Sequence, residues 1–442
     1  MSKTVDALTI EAGSPENPSV FGKYLIFGLI ARGGMAEVYR ARSIDQKSNL
    51  VALKVMRTKL MKEQKYIDMF LAEGQLGRML HHPNIVETFE GGRHNNIYFF
   101  TMEYIMGKDL THMLRKIQMS NLRLPIPVSV YIAQKCAEGL HYAHTLTDNE
   151  GKPLNLVNRD VSPSNIRISY EGEVKILDFG IARARNRATS EIGTLKGKFS
   201  YMSPEQIRGL PLDGQTDIFS LGIVLYEMLT MERLFKAESE TVLMEKVRQS
   251  VIAPPSTINK RISADLDAVV IKALAREKKE RYQTAGEFAA DLARILEPYR
   301  FSVSELSDLM KRTFHEDYEK DREIEQIICS MDRKYSSEDA GRTESFDSIL
   351  GAKFDPTGIL EMEVDIDDEP FESSEHSSQS IQNFNQLPAP GEFVTHDPNP
   401  APEKTTPPVA SSWLDTNKLI FLLLGITAFA LIITVILILI KK

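Results

Sequence analysis

The chain has 442 residues, 42% of them hydrophobic and 26% charged, with a formal net charge of −8 at pH 7. That length accommodates one large domain or two medium ones with extensions, and the acidic balance argues against a general nucleic-acid binder, which needs a basic footprint. The two cysteines, Cys136 and Cys329, lie far apart; they make neither a disulfide framework nor a metal cluster and point to a reducing compartment.

Residues 1–20 are polar, with Gly13, Pro15 and Pro18 and no signal-peptide pattern. From 21 to 300 apolar periodic runs alternate with turn residues, as in a packed domain. "YLIFGLIARGGMAEVYRARS" (24–43) reads as strand, glycine turn, strand. Its small residues Ala31, Gly33, Gly34 and Ala36 allow the backbone to approach a ligand and aim amides at phosphate oxygens, although a plain β-hairpin has the same spelling. "LVALKVM" (50–56) is a β-run with Lys54 in its middle, a charge that needs a partner if buried. Glu73, on a helical pattern with Phe70, Leu71, Leu76 and Leu80, is available for that role. "NRDVSPSNIRI" (158–168) sets Arg159 and Asp160 ahead of Asn165. "EVKILDFGIARA" (173–184) ends a strand in Asp178 before Phe179 and Gly180, a good position for an aimed, hard oxygen donor to magnesium. "YMSPEQ" (201–206) and an apolar helix opened by Asp217 follow.

Residues 301–335 read as one or two charged helices. Residues 336–412 are acidic and rich in Ser, Pro and Asn, a composition expected to stay a disordered linker. Residues 419–440 carry no charge, follow Lys418 and precede Lys441 and Lys442, with Trp413 at interface distance. They are expected to form a single helix across a hydrocarbon core of ~30 Å.

Taken in order, the glycine-rich loop, Val-Ala-x-Lys, Arg-Asp with a downstream Asn, Asp-Phe-Gly and Pro-Glu resemble the protein-kinase signature set. "GGMAEVYRA", "HHPNIV", "DFGIAR", "GKFSYMSPEQ" and "TDIFSLGIVLYEMLT" are similar to bacterial eukaryotic-like serine/threonine kinases, over residues 20–298. The resemblance implies an α+β, bilobal protein-kinase fold over residues 21–300, with a small β-rich N-lobe and a larger helical C-lobe. It implies that Lys54, oriented by Glu73, holds the α- and β-phosphates of ATP. Asp160 would take the proton of the substrate hydroxyl, Asn165 and Asp178 would hold Mg²⁺, and Arg159 would face the activation segment. Glu103 and Tyr104 would meet the adenine edge through their backbone, beside Met102. Ile30, Val38 and Ala52 would line the base, and Asp109 would lie near the ribose. Glu205 would pair with Arg281, and Asp217 would accept hydrogen bonds from the catalytic-loop backbone, both as structural groups.

Four positions depart from the family pattern. Ala31 replaces the first loop glycine, Asn158 a supporting His and Ser162 a phosphate-contacting Lys, while Lys198 stands where the family has Thr. Ser162 and Lys198 thus look like an exchange that keeps one cation and one hydroxyl beside Asp160, which makes Lys198 a further catalytic candidate. The expected function is a membrane-anchored serine/threonine protein kinase using ATP and Mg²⁺. Its partners would be protein substrates and the membrane, with no nucleic acid, and its kinase domain would face the cytoplasm from the cell inner membrane. Self-association is a further expectation, as is autophosphorylation at Thr189, Ser190 or Thr194. The alternative is a pseudokinase scaffold recruiting partners at the membrane. Asn158 and Ser162 favour it, and the full set Lys54, Glu73, Asp160, Asn165 and Asp178 opposes it. Phosphorylation of a small molecule ranks third, because the Pro-Glu segment and the helix after it resemble a platform for protein.

Overall fold

Period-two alternation in the first part of the chain sets the strands. In β4 (Leu50–Met56), Val51, Leu53 and Val55 pack on one face with Phe21, Ile26 and Phe99, while Ala52 and Met56 pack on the other with Phe70 and Phe100. The other strands of this sheet are β1 (Ser19–Phe21), β2 (Tyr24–Arg32), β3 (Ala36–Ser43), β5 (Thr88–His94) and β6 (Ile97–Glu103). All its pairings are antiparallel, in the order β1-β2-β3-β4-β6-β5. Helix α1 (Gln64–Met79) covers one face with Ile67, Phe70 and Leu71. The computed structural model describes residues 13–44, 50–148, 150–179, 199–331 and 343–350.

The second lobe is helical. Helices α2 (Leu110–Met119) and α3 (Ile126–His144) and a small sheet of β7 (Gly107–Asp109), β8 (Ile166–Ser169) and β9 (Val174–Ile176) pack around one apolar core. Then come α4 (Pro204–Arg208), α5 (Gly214–Thr230), α6 (Glu240–Gln249), α7 (Ala264–Ala273) and α8 (Ala285–Leu296). Helix α5 is buried around nearly its whole circumference, with Ile218, Phe219, Leu221, Val224 and Leu225 at most 1% exposed, as its unbroken apolar run requires. The two lobes give the α+β, bilobal architecture expected. Cys136 is buried in α3 and Cys329 is exposed; burial pushes the Cys136 thiol pKa up.

The charged stretch after residue 300 forms two helices, α9 (Val303–Thr313) and α10 (His315–Ser330), the first opened by a capping box of Ser302 and Glu305. Helix α10 touches both lobes. Asp317 pairs with Lys108 at 2.8 Å, Asp321 pairs with Arg40 at 2.8 Å, and Ile328 joins Leu25 and Phe27 in a separate apolar cluster.

One expectation is corrected. Within the stretch read as a disordered linker, β10 (Thr343–Ser345) adds to the free edge of β5, and the short α11 (Phe346–Leu350) follows. Average composition missed it because a single aromatic anchor, Phe346, fully buried among residues of the first lobe, accompanies the added strand hydrogen bonds. Among the described residues no helix is long and apolar enough to cross a membrane. The apolar run 419–440 lies outside the described residues, as do the remaining linker positions.

Candidate active site

Strand register brings the first group of residues together. Lys54 in β4 lies opposite Val38 of β3 on one side and Phe100 of β6 on the other, and Ala52 lies opposite Met102. In β2 the pairing passes from Leu29 to Ala31, so Ile30 is the extra residue of a bulge, which re-aims a strand locally. Ile30, Val38, Ala52 and Met102 all join one apolar cluster. The turn between β2 and β3 is closed by the Gly33 amide donating to the Ala36 carbonyl at 2.8 Å.

Lys54 Nζ lies 2.5 Å from Glu73 Oε1 on α1 and 3.1 Å from Asp178 Oδ1. Burial is the largest effect on this ammonium and pulls its pKa down. The charges of Asp178 and Glu73 more than offset it, so the net shift is upward and Lys54 stays a cation.

A hairpin assembles the second group. Ile166 of β8 pairs with Ile176 of β9, and the Leu177 amide donates to the Asn165 carbonyl at 2.9 Å. Asn165 therefore sits beside the residue that precedes Asp178. Asn165 Nδ2 donates to the Asp160 carbonyl at 2.9 Å and to Asp160 Oδ2 at 2.5 Å. The loop carrying Asp160 is braced from two sides. Asp217 of α5, fully buried, accepts from the amides of Asn158 at 2.7 Å and Arg159 at 2.8 Å, and faces His144 Nε2 at 2.8 Å. Asn158 donates from Nδ2 to the Asp178 carbonyl at 2.8 Å and accepts from the Asp160 amide at 3.1 Å. The amide in the family's His position thus ties Asp160 directly to Asp178. Arg159 has a φ of 65°, and its carbonyl accepts from Gln206 Nε2 at 3.0 Å. That left-handed backbone is uncommon for a residue with a side chain and is held here by bonds on both sides of the residue.

Glu205 and Arg281 make a two-pronged pair at 2.7 and 2.9 Å. Ser162 Oγ lies 3.0 Å from Ser164 Oγ, and an open cleft of about 1040 Å³ runs past Asp160 and Ser162 along Tyr201, Glu227 and Arg233.

The Glu103 amide donates to the Glu87 carbonyl at 2.8 Å, and the Glu103 carboxylate takes Lys175 at 2.7 Å. The Tyr104 hydroxyl accepts from Arg40 Nε at 2.9 Å, so both side chains are engaged within the protein. Asp109 caps α2, accepting from the His112 amide at 3.0 Å. Sequence reasoning missed Ile105 and Leu177, which join the cluster of Ile30, Val38 and Ala52; their places next to Tyr104 and Asp178 were the available signal. Lys198, Thr189, Ser190 and Thr194 lie outside the described residues.

Among the described residues no group of three or more His, Cys, Asp or Glu gathers as a metal site. Asp178 and Asn165 offer one carboxylate and one amide oxygen. Hard oxygens of this kind suit a magnesium-type cation whose remaining positions are filled by phosphate and water, so the residues fit a nucleotide-bound metal.

The protein kinase domain family model matches residues 24–329. "Tyrosine-protein kinase MasK" of Myxococcus xanthus is 35% identical over 336 residues, which cover 75% of this chain and 52% of that protein. Serine/threonine-protein kinase PknB of Mycobacterium leprae is 37% identical over 285 residues, covering 63% of this chain and 44% of that one. The chain spans about half the length of these curated relatives. A crystal structure of the Mycobacterium tuberculosis PknI kinase domain aligns with a TM-score of 0.47 at 23% identity, over 63% of this chain and 97% of that one. With most of its length matched and with the Lys54, Glu73 and Asp178 charges assembled beside Asp160 and Asn165, the chain belongs to the protein kinase family, in its bacterial eukaryotic-like branch.

Proposed function

We propose that this chain transfers the γ-phosphoryl group of ATP to serine or threonine hydroxyls of proteins. The observation that carries this reading is Lys54 held between Glu73 and Asp178, with Asn165 bonded to Asp160 next to them. Lys54 holds the α- and β-phosphates; Ile30, Val38 and Ala52, with Ile105 and Leu177, line the base; and the backbone at Glu103 and Tyr104 meets its edge. Asp160 orients the attacking hydroxyl and takes its proton as the new P–O bond forms and the bond to the β-phosphate oxygen breaks, releasing ADP. Asn165 and Asp178 would hold Mg²⁺, which when bound neutralises phosphate charge. Against the scaffold alternative stand the complete charge set and Asn158, whose side chain braces the loop on both sides. For Ser162 and Lys198 we keep the exchange reading, with Lys198 supplying the cation at the transferred phosphate. Ser162→Lys combined with Lys198→Thr should recover rate that either change alone loses, and additive losses would reject the exchange.

The test is incubation of the full chain with radiolabelled ATP and Mg²⁺, followed by phosphoamino-acid analysis. Labelled serine or threonine is expected, and its rate of appearance should fall by about 10²-fold or more in Asp160→Asn. Phosphotyrosine alone would reject the residue class, and equal labelling of the variant would reject the site. The proposal extends to location: residues 419–440 anchor the chain in the cell inner membrane with the catalytic domain in the cytoplasm, where ATP is. A chain ending before Trp413 should leave the membrane fraction, and one that still pellets rejects the anchor.

A further inference from the structure

Three glycines in the first lobe have no conformational reason to be glycine. Gly74 is inside α1, and Gly91 and Gly92 are inside β5. None has a left-handed φ. Glycine weakens helix and strand interiors, so its presence there calls for a close approach by something else. At all three positions the nearest atoms belong to the segment 343–350, with Phe100 of β6 the next neighbour at Gly74 and Gly91. A Cβ on Gly74 would come within 2.6 Å of the Phe346 ring, one on Gly91 would overlap the same ring, and one on Gly92 would overlap the Glu344 carbonyl.

The segment is held by more than shape. Thr343, Glu344 and Ser345 pair with His94, Arg93 and Gly92 in antiparallel register. Glu344 meets Arg93 at 2.6 Å, Asp347 meets Arg78 of α1 at 3.2 Å, and Thr343 Oγ1 lies 2.9 Å from His94 Nδ1. Phe346 is 0% exposed. It shares the groove with Phe100, whose ring lies 5.4 Å from Lys54 Nζ, and it presses on α1 at the residue next to Glu73.

We propose that the segment Thr343–Leu350 is a docking peptide of the chain's own, which holds α1 where Glu73 reaches Lys54, with Phe346 as the positioning residue. The inference rests on the phosphotransfer reading only for its rate measurement. With Phe346 seated, the groove over Gly74 and Gly91 is filled and α1 is tied to β5 through one continuous packed contact. With Phe346 withdrawn, two glycines leave a void on the flank of α1, and the helix loses the support that fixes Glu73. Groups that place a charge in the transition state are sensitive to such displacement.

The experiment uses the full chain carrying Phe346→Ala and a synthetic peptide of sequence GRTESFDSIL, residues 341–350. The expected result is a kcat lower by about tenfold or more with an unchanged KM for the protein substrate, as expected for lost positioning of a catalytic group. Amides of α1 should exchange faster with solvent, and melting of the second lobe should be unchanged. The peptide should restore both rate and protection saturably, the same peptide with Phe→Ala should not, and Phe346→Leu should retain part of the rate. If the wild-type chain transfers no phosphate, the phosphotransfer reading fails, and exchange in α1 still decides the docking role. Wild-type rate and unchanged exchange in Phe346→Ala would overturn the proposal. So would a loss that saturating peptide does not reverse, or a gain of rate, which would make the segment a brake.

Discussion

Glu205 and Arg281 meet inside the helical lobe with side chains 4% and 0% exposed, whereas Lys54 and Glu73 meet at the cleft with side chains 12% and 14% exposed. The partners differ more than the burial does. Every N–H of Arg281 has an acceptor within 3.2 Å: both oxygens of Glu205 and the carbonyls of Ala275, Arg276 and Gln215. Thr216 Oγ1 adds a donor to Glu205 at 3.0 Å. That pair is closed, with no bonding capacity of the cation left for a ligand. Lys54 has three donors, and Glu73 and Asp178 take two. Its surroundings keep it charged and aimed, which is the arrangement a phosphate needs. A closed pair is architecture and an open one is a site, and the two can be separated by what each mutation damages.

The largest effect is expected in the open region. Asp160→Asn should lower kcat by about 10²–10⁴-fold, the range for loss of a general base, with melting temperature unchanged. Asn keeps an acceptor for Asn165, so the loop geometry survives while the proton acceptor is lost. Kinetics and calorimetry on the same preparation check this; a variant that melts early yet keeps its rate per folded molecule would break the distinction.

The closed pair should behave in the opposite way. Glu205→Ala leaves a buried guanidinium uncompensated, and breaking such a pair costs about 3–5 kcal/mol of stability. The pair also has a pH signature. Burial acts to raise the Glu205 pKa, and the hydrogen bond and charge of Arg281 outweigh it, so the carboxyl sits below its ordinary value of 4.5. A depressed folded pKa contributes stability that is fully present above the unfolded value and lost as pH falls through the folded one. Melting temperature in wild type should therefore fall below about pH 4.5, and Glu205→Gln should flatten that part of the curve. Equal slopes in the two proteins would remove Glu205 from the acid transition.

Asn158 lies between the two cases, since its side chain is buried but bridges catalytic segments. Asn158→Ala should cost about 1–3 kcal/mol through the unpaired Asp178 carbonyl and Asp160 amide, and it should lower kcat as well. Asn158→His should retain most of both, because a neutral imidazole also offers one donor and one acceptor. Urea midpoints with kcat for the two variants read this out; a His variant as damaged as the Ala variant would show that the site accepts only the amide.

How much was legible follows from sequence distance. Lys54 in mid-strand, Asp178 at a strand end and Asn165 ahead of the β8–β9 hairpin could be read because local periodicity and a short hairpin set their positions. The Glu205–Arg281 pair spans 76 residues and was legible only through the family resemblance. The seat of Phe346 was not legible at all. Its groove is made by Gly74, Gly91 and Gly92, and the segment itself averages as polar. The signal lay in the glycines, which break the helical pattern after Glu73 and interrupt a strand. The side chains of Glu103 and Tyr104 were equally opaque, because Lys175 and Arg40, which engage them, come from other strands.

The smallest effect tests a residue that the two categories claim differently. The family resemblance puts Asp109 near the ribose, as an open group, while the structure makes it the cap of α2. Its φ of −72° and ψ of 159° are those of a capping residue, its carboxylate accepts from the His112 amide at 3.0 Å, and His112 Nδ1 lies 2.7 Å away. As a cap, Asp109→Ala should cost about 1 kcal/mol, and Asp109→Asn almost nothing, since the two residues cap equally well. The KM for ATP should then stay constant across all three proteins. If the carboxylate also holds the nucleotide, the KM for ATP should rise in both variants, including the Asn protein whose stability is intact. Urea midpoints and ATP saturation curves for the same three proteins therefore assign Asp109 to the closed or the open region, and a rise in KM without a stability change would move it to the open one.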